Sequence, residues 1–178
     1  FEYHNGNGTL CLIGDFDKKQ GKFHEENDHA IDYGIDFYAP QTLVTEDGRR
    51  VMIGWMQNWD ACAIRAHEEA WAGQMSLPRE IRVKNNRLYQ KPVREYESCL
   101  CNKVEYAGVK LDKSKGEIQL DGVEGRTVDL NIKLHAADRE KPYYKFTLYF
   151  AKKGDIYTSL SFRPYEGIIK IDRKFSGS

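Results

Sequence analysis

The second half of this sequence alternates apolar and polar residues with a period of two, which confines it to strands. Val128, Leu130, Ile132 and Leu134 interleave with Asp129, Asn131, Lys133 and His135. Phe146, Leu148 and Phe150 interleave with Lys145, Thr147 and Tyr149, and Ile156, Thr158, Leu160 and Phe162 continue the period. Successive side chains of a strand point to opposite faces, so each run has one apolar and one polar side, the signature of half-buried antiparallel strands. Turn signals separate the runs: Asp47-Gly48, Asn85-Asn86, Asp121-Gly122, Gly154-Asp155 and Glu166-Gly167. Residues 144–162 therefore read as a hairpin over Lys152-Lys153-Gly154-Asp155. The fold class is all-β, and short strands at regular spacing from about residue 104 predict a β-sandwich.

The first half has another texture. Strands are expected at residues 9–16, 36–45, 50–56, 74–83 and 87–91, separated by longer loops rich in Trp, Tyr, Gly and charge. Loops of that kind more often carry a site than merely connect strands. Residues 61–70 could form one or two helical turns, with Glu68 and Glu69 on a solvated face. Around Pro92 the alternation lapses into charged residues, and residues 93–103 read as a linker with room for one helical turn.

Bulk properties exclude more than they assign. Lysine plus arginine and aspartate plus glutamate both number 27, so the 178 residues carry no net charge. No basic field draws the chain to nucleic acid or an anionic membrane. No apolar run approaches the ~18 residues of a membrane span. The chain opens on Phe1 rather than Met, without a secretory leader, and reads as a piece of a longer protein or a processed product. Cys11, Cys62, Cys99 and Cys101 form no CxxC pair with histidines at zinc spacing, so no metal is expected. Cys99 and Cys101 would share a face if they lay in a strand, poorly placed to bond each other. Reduced, partly buried thiols lean toward a cytoplasmic protein. The histidines are scattered, and no nucleophile elbow, phosphate loop or dinucleotide fingerprint occurs, so no cofactor is expected.

Chemistry-bearing residues gather in two short segments. Residues 32–41 place Asp32, Tyr33, Asp36 and Tyr38 around Gly34 at the mouth of an apolar strand. Carboxylates address sugar hydroxyls, and an aromatic ring covers the C–H face of the sugar. Asp32 and Asp36 would face one side of a continuous strand and could bind hydroxyls or serve acid–base work. Equally, one could cap a turn while the other pairs with an arginine. Arg79, after Pro78, needs a carboxylate partner, and Asp32 or Asp36 would serve. Trp71 stands in a loop beside Ala72 and Gly73, small enough to let a ligand approach. Trp55 shares a strand face with Val51 and Ile53 and is expected in the core.

Three ordered motifs resemble glycoside hydrolase family 32, which holds the invertases, sucrose-6-phosphate hydrolases, levanases and inulinases. They are Asp-Tyr-Gly-Ile-Asp-Phe-Tyr-Ala-Pro-Gln at 32–41, Ile-Gly-Trp-Met-Gln-Asn-Trp at 53–59 and Trp-Ala-Gly-Gln-Met-Ser-Leu-Pro-Arg-Glu at 71–80. Gly14-Asp15-Phe16-Asp17 and Leu88-Tyr89-Gln90-Lys91-Pro92-Val93 add to the likeness, and Ile171-Asp172-Arg173 resembles a late sandwich motif. The resemblance implies the last part of a five-bladed β-propeller in residues 1–92, a linker at 93–103 and a truncated β-sandwich at 104–178. It implies retaining hydrolysis of a fructofuranosyl bond. The family's nucleophilic Asp, stabilising Asp and acid/base Glu lie in motifs that precede residue 32 in the family's order, and none of those motifs is present here. The Phe-Ser-Gly string at 175–177 also occurs near that nucleophile, but here it follows the sandwich motif.

What carries over is the supporting part of the site. Asp32 matches the aspartate of the family's sugar-binding box, although Ile35 stands where plant relatives have lysine. Trp71 matches a tryptophan on the wall of the fructose pocket. Asp36, Tyr38 and Arg79 are expected behind that wall, orienting the groups that touch the sugar. The expected partners are a fructose-containing saccharide and the missing N-terminal part of the propeller, without nucleic acid or membrane. The isolated chain is expected to be inactive and to associate through uncovered apolar faces. The rival reading is a carbohydrate-binding or structural β-sandwich module that cleaves nothing.

Overall fold

The structure, a computed structural model, describes residues 8–34, 36–56, 73–112, 114, 116–125, 127–138 and 140–177. The chain divides into two compact units, Phe1–Leu100 and Cys101–Ser178. Every ladder is antiparallel, and among the described residues the one helical element is a 3-10 turn. The all-β expectation holds.

In the first unit, β1 (Leu10–Asp17) and β2 (Lys22–Ala30) form a hairpin. A four-stranded meander follows, β3 (Tyr38–Val44), β4 (Arg50–Trp55), β5 (Arg79–Lys84) and β6 (Arg87–Pro92), and then the 3-10 helix Arg94–Cys99. Four of the five strands expected here lie within two residues of their expected ends. The segment expected as one strand over 74–83 is broken. Met75 bridges Trp55, and the ladder resumes only at Arg79 opposite Met52. One extra residue on this side makes a bulge, and Ser76 mends it. Its hydroxyl accepts the Gly54 N–H at 3.0 Å and donates to the Leu77 carbonyl at 3.1 Å. Bulges re-aim side chains beside functional sites, and this one delivers Arg79 to the loop before β3.

β2 was not expected. Lys-Phe-His-Glu-Glu-Asn-Asp-His-Ala lacks alternation, and all but three of its residues are exposed. Its strand character comes from pairing with β1 across a turn in which Asp17 Oδ1 accepts the N–H groups of Lys19 and Gln20. Gly21 closes that turn with φ 63°, a conformation that only glycine adopts freely.

The buried core of the first unit is Ile31, Phe37 and Met52, flanked by Cys11, Ile81 and Leu88. The expectation that Trp55 is core is corrected. Val51, Ile53 and Trp55 do share a face, but it is the half-buried one, while Met52 and Gly54 face inward. The reason is Phe37, 2% exposed, whose ring occupies the space over Gly54. A Cβ on Gly54 would stand 2.5 Å from its Cζ.

Among the described residues the second unit contains one sheet, β7 (Phe146–Lys153), β8 (Ile156–Arg163) and β9 (Ile168–Asp172). The hairpin expected over 144–162 is present, with Gly154 at φ 60° in its turn. The strand expected at 128–134 is not formed. Val128, Leu130, Ile132 and Leu134 remain 37–43% exposed. Alternation supplies an amphipathic segment, but a strand also needs a partner for its N–H and C=O groups, and none pairs with it among the described residues.

Candidate functional site

The loop at residues 31–37 is positioned from both ends. Ile31, buried, donates its N–H to the Thr9 carbonyl at 3.0 Å, and the Thr9 hydroxyl donates to the Phe37 carbonyl at 3.0 Å. Asp32 and Asp36 both lie outside the strands, so they do not share the face of a continuous strand.

Arg79 grips this loop. Its Nη2 donates to Asp32 Oδ2 at 2.7 Å, its Nη1 to Gln90 Oε1 at 3.3 Å, and its guanidinium lies 4.5 Å from the Phe37 ring centroid. The expected arginine–carboxylate pair is therefore Arg79–Asp32. The Asp32 Oδ1 also accepts the Gly34 N–H at 2.8 Å, so one aspartate both caps the turn and pairs with the arginine. Each carboxylate oxygen keeps a second lone pair, which can accept a hydroxyl from a ligand. Arg79 and Asp32 are each about one-fifth exposed, enough for contact and little enough for water to be scarce.

Gln90 is the residue that the sequence did not single out as part of the site. Its Oε1 accepts from Arg79, and its Nε2 donates to the Ile31 carbonyl at 2.7 Å. Pairing of Ile81 with Gln90 in the β5–β6 ladder puts it within reach. Its polarity at a half-buried strand position was the available signal. Arg79 and Gln90 also line an open hollow of about 510 Å³ with Met56, Met75 and Leu77.

Tyr38 begins β3 opposite Trp55, and their rings are 6.3 Å apart and tilted at 57°. Asp36 is half-buried just before β3. Trp71 and the helical turns expected at 61–70 lie outside the described residues. Tyr33 is 86% exposed at the tip of the loop.

A second charged cluster centres on Arg49. It donates to Asp47 at 2.8 Å, to Glu80 at 2.8 Å and to Glu95 at 2.6 Å. Lys91 approaches Glu80 at 3.1 Å, and Arg94 pairs with Asp47. Hydrogen bonds from Arg49 and then Lys91 hold the Glu80 carboxyl down at about 2. The Thr45 hydroxyl, then Arg49, hold Asp47 at about 2. The cluster fastens the β3–β4 turn, β5 and the 3-10 helix together.

Cys11, Cys99 and Cys101 are free thiols. Cys11 is half-buried, and burial raises its pKa. Cys99 ends the 3-10 helix and Cys101 follows it, both exposed, so the partial burial expected for them is corrected. Among the described residues no three His, Cys, Asp or Glu side chains gather as metal ligands, and no helix is long and apolar enough to cross a membrane.

The first unit thus presents a braced carboxylate, Asp32, beside the Phe37 ring at the edge of an antiparallel sheet. Residues 1–92 match the model of the glycosyl hydrolases family 32 N-terminal domain, and the chain belongs to that family. It is 38% identical over 118 residues to a raffinose invertase of Escherichia coli, covering 66% of this chain and 24% of that protein. It is 33% identical over 132 residues to a sucrose-6-phosphate hydrolase of Salmonella typhimurium, covering 73% and 28%. The chain thus spans about a quarter of the length of these curated relatives. Among solved structures, a GH32 beta-fructofuranosidase of Bombyx mori superposes with a TM-score of 0.65 at 23% identity, over 97% of this chain and 34% of that one. That likeness supports the all-β fold, the end of a propeller followed by sandwich strands.

Proposed function

We propose that this chain is part of a retaining β-fructofuranosidase acting on sucrose, sucrose-6-phosphate or a fructan, and that it supplies one wall of the fructose pocket. The observation that carries the reading is the braced Asp32, held by Arg79 and the Gly34 N–H in a segment matching the family. Asp32 is the group that accepts sugar hydroxyls, and Trp71 is the flat face against the ring. Arg79 and Gln90, with Asp36 and Tyr38 alongside, keep the wall in place. Positioning within fractions of an ångström is what such braces contribute to catalysis. A Bombyx mori relative has been solved in complex with sucrose, which favours a fructose-containing substrate.

Retaining hydrolysis needs two carboxyl groups about 5 Å apart, one nucleophile and one acid/base. In this reading both come from preceding blades, which also cover exposed apolar side chains such as Leu12, Phe16, Met75 and Leu77. The reading places the enzyme in the cytoplasm, where exposed thiols such as Cys99 and Cys101 stay reduced. Purified 178-residue chain should release no fructose from sucrose or inulin. Saturable hydrolysis by it would show that the nucleophile and acid lie within these residues and would overturn the assignment.

A further inference from the structure

The sheet of the second unit has a polar face that holds a hollow. The register pairs Thr147 with Ser161, Tyr149 with Ser159, Ser161 with Lys170 and Ser159 with Asp172, so these side chains share one face. The intervening residues, Phe146, Leu148, Phe150, Leu160 and Phe162, lie on the other. The polar face encloses a hollow of about 190 Å³. That is below the ~300–1,000 Å³ of sites for drug-sized ligands and suits a ligand of about one sugar ring.

The lining is rich in uncommitted donors. Among the described residues, the hydroxyls of Thr147, Ser159, Ser161, Tyr149 and Tyr157 have no hydrogen-bond partner in the protein. Nε of Arg163 is buried without a partner. Buried polar groups are ordinarily satisfied, and one that is not calls for a ligand or water. Tyr149 and Tyr157 meet edge to face at 5.0 Å and wall one end.

Charge narrows the ligand further. Lys145, Arg163 and Lys170 line the hollow against one carboxylate, Asp172. Lys170 is 2.8 Å from Asp172, and Arg163 is 3.1 Å from Glu166, outside the lining. Lys145 has no ion-pair partner among the described residues. A row of free hydroxyls framed by surplus cations matches a polyhydroxylated ring that carries an anion.

We propose that this face of β7–β9 binds a phosphorylated monosaccharide, its phosphate against Lys145 and Arg163 and its ring hydroxyls on Thr147, Ser159 and Ser161. The site lies in the second unit and shares no residue with the Asp32–Arg79 clamp. The test is titration of the 178-residue chain with fructose 6-phosphate, followed by calorimetry and by amide shifts. Saturable binding with shifts confined to β7–β9 is expected. Lys145→Ala, at an exposed position, should weaken it about tenfold, the cost of one charge-assisted contact, and Ser159→Ala about fivefold, that of one neutral hydrogen bond. Asp32→Asn should leave it unchanged. Absence of binding, equal affinity for fructose, equal affinity for inorganic phosphate, or indifference to Lys145→Ala would each overturn the proposal. Loss of this binding would leave the fructosidase reading intact, and sucrose hydrolysis by the isolated chain would leave this site intact.

Discussion

Two neighbours on β5, Arg79 and Glu80, carry opposite charges to opposite faces of one sheet, and the two faces are fastened by different physics. On the Arg79 side, one guanidinium meets a carboxylate, an amide and an aromatic ring, close to the Phe37–Met52 core. On the Glu80 side, an Arg49–Glu80 pair as shielded as the clamp is ringed by Asp47, Lys91, Glu95 and Arg94, partners open to water. A few well-packed contacts near a core respond strongly to single changes. An ion network spreads its effect over many pairs, and its exposed outer pairs are screened by salt. The first arrangement suits a wall that must hold a ligand group still. The second suits a brace between a turn and a linker.

This contrast makes graded predictions. The largest effect should come from Gly54→Ala, which drives a methyl into the Phe37 ring. Overpacking of this kind costs about 1–3 kcal/mol, and a fall in the urea midpoint near the upper end is expected. An unchanged midpoint would mean that Phe37 is not packed there. Next is Arg79→Ala, which removes the Asp32 pair, the Gln90 contact and the ring contact together. About 2 kcal/mol is expected, between exposed and fully buried pairs, and a loss as small as that of a surface pair would erase the distinction between the faces. Gln90→Ala should cost about 1 kcal/mol, roughly one net hydrogen bond. Amide exchange should then quicken at Ile31 and Gly34 while β4 stays protected. Uniform quickening would contradict a local role.

The smallest effect should lie on the Glu80 face, and it should be an effect of pH. Glu80 and Asp47 are held at about 2 in the fold, against 4.5 and 3.8 ordinarily. A depressed carboxyl pKa contributes stability that is complete above the unfolded value and is lost as pH falls toward the folded one. The loss should therefore run from about pH 4.5 down to about pH 2. Arg49→Gln should flatten that slope, and 1 M salt should too. A slope unaltered in the variant would assign acid sensitivity to other carboxylates.

Apolar runs bounded by turn signals were legible as strands before any coordinates, as β3, β4, β6 and the β7–β8 hairpin were, although in β4 the inward face was not. The failures share one cause. β2 has no period but has a partner, whereas residues 128–134 have the period and lack one among the described residues. Pairing is a property of two segments, so no window on one segment reports it. The site divides in the same way. Asp32 and Arg79 were recognisable as a carboxylate and a cation that needed each other. Gln90 was not, because its role depends on standing across the ladder from Ile81.

By itself, the sequence determined the all-β class, the family and the supply of carboxylates, aromatic rings and arginine at 32–41 and 71–80. These follow from residue type and order, which are local and additive. Only the tertiary structure decided that Asp32 takes both the Gly34 N–H and Arg79, that Met52 rather than Trp55 faces the core, and that Gln90 joins the loop to the sheet. Each of those depends on a bulge or a register that shifts side chains by one residue. In a strand, one residue is the difference between the two faces.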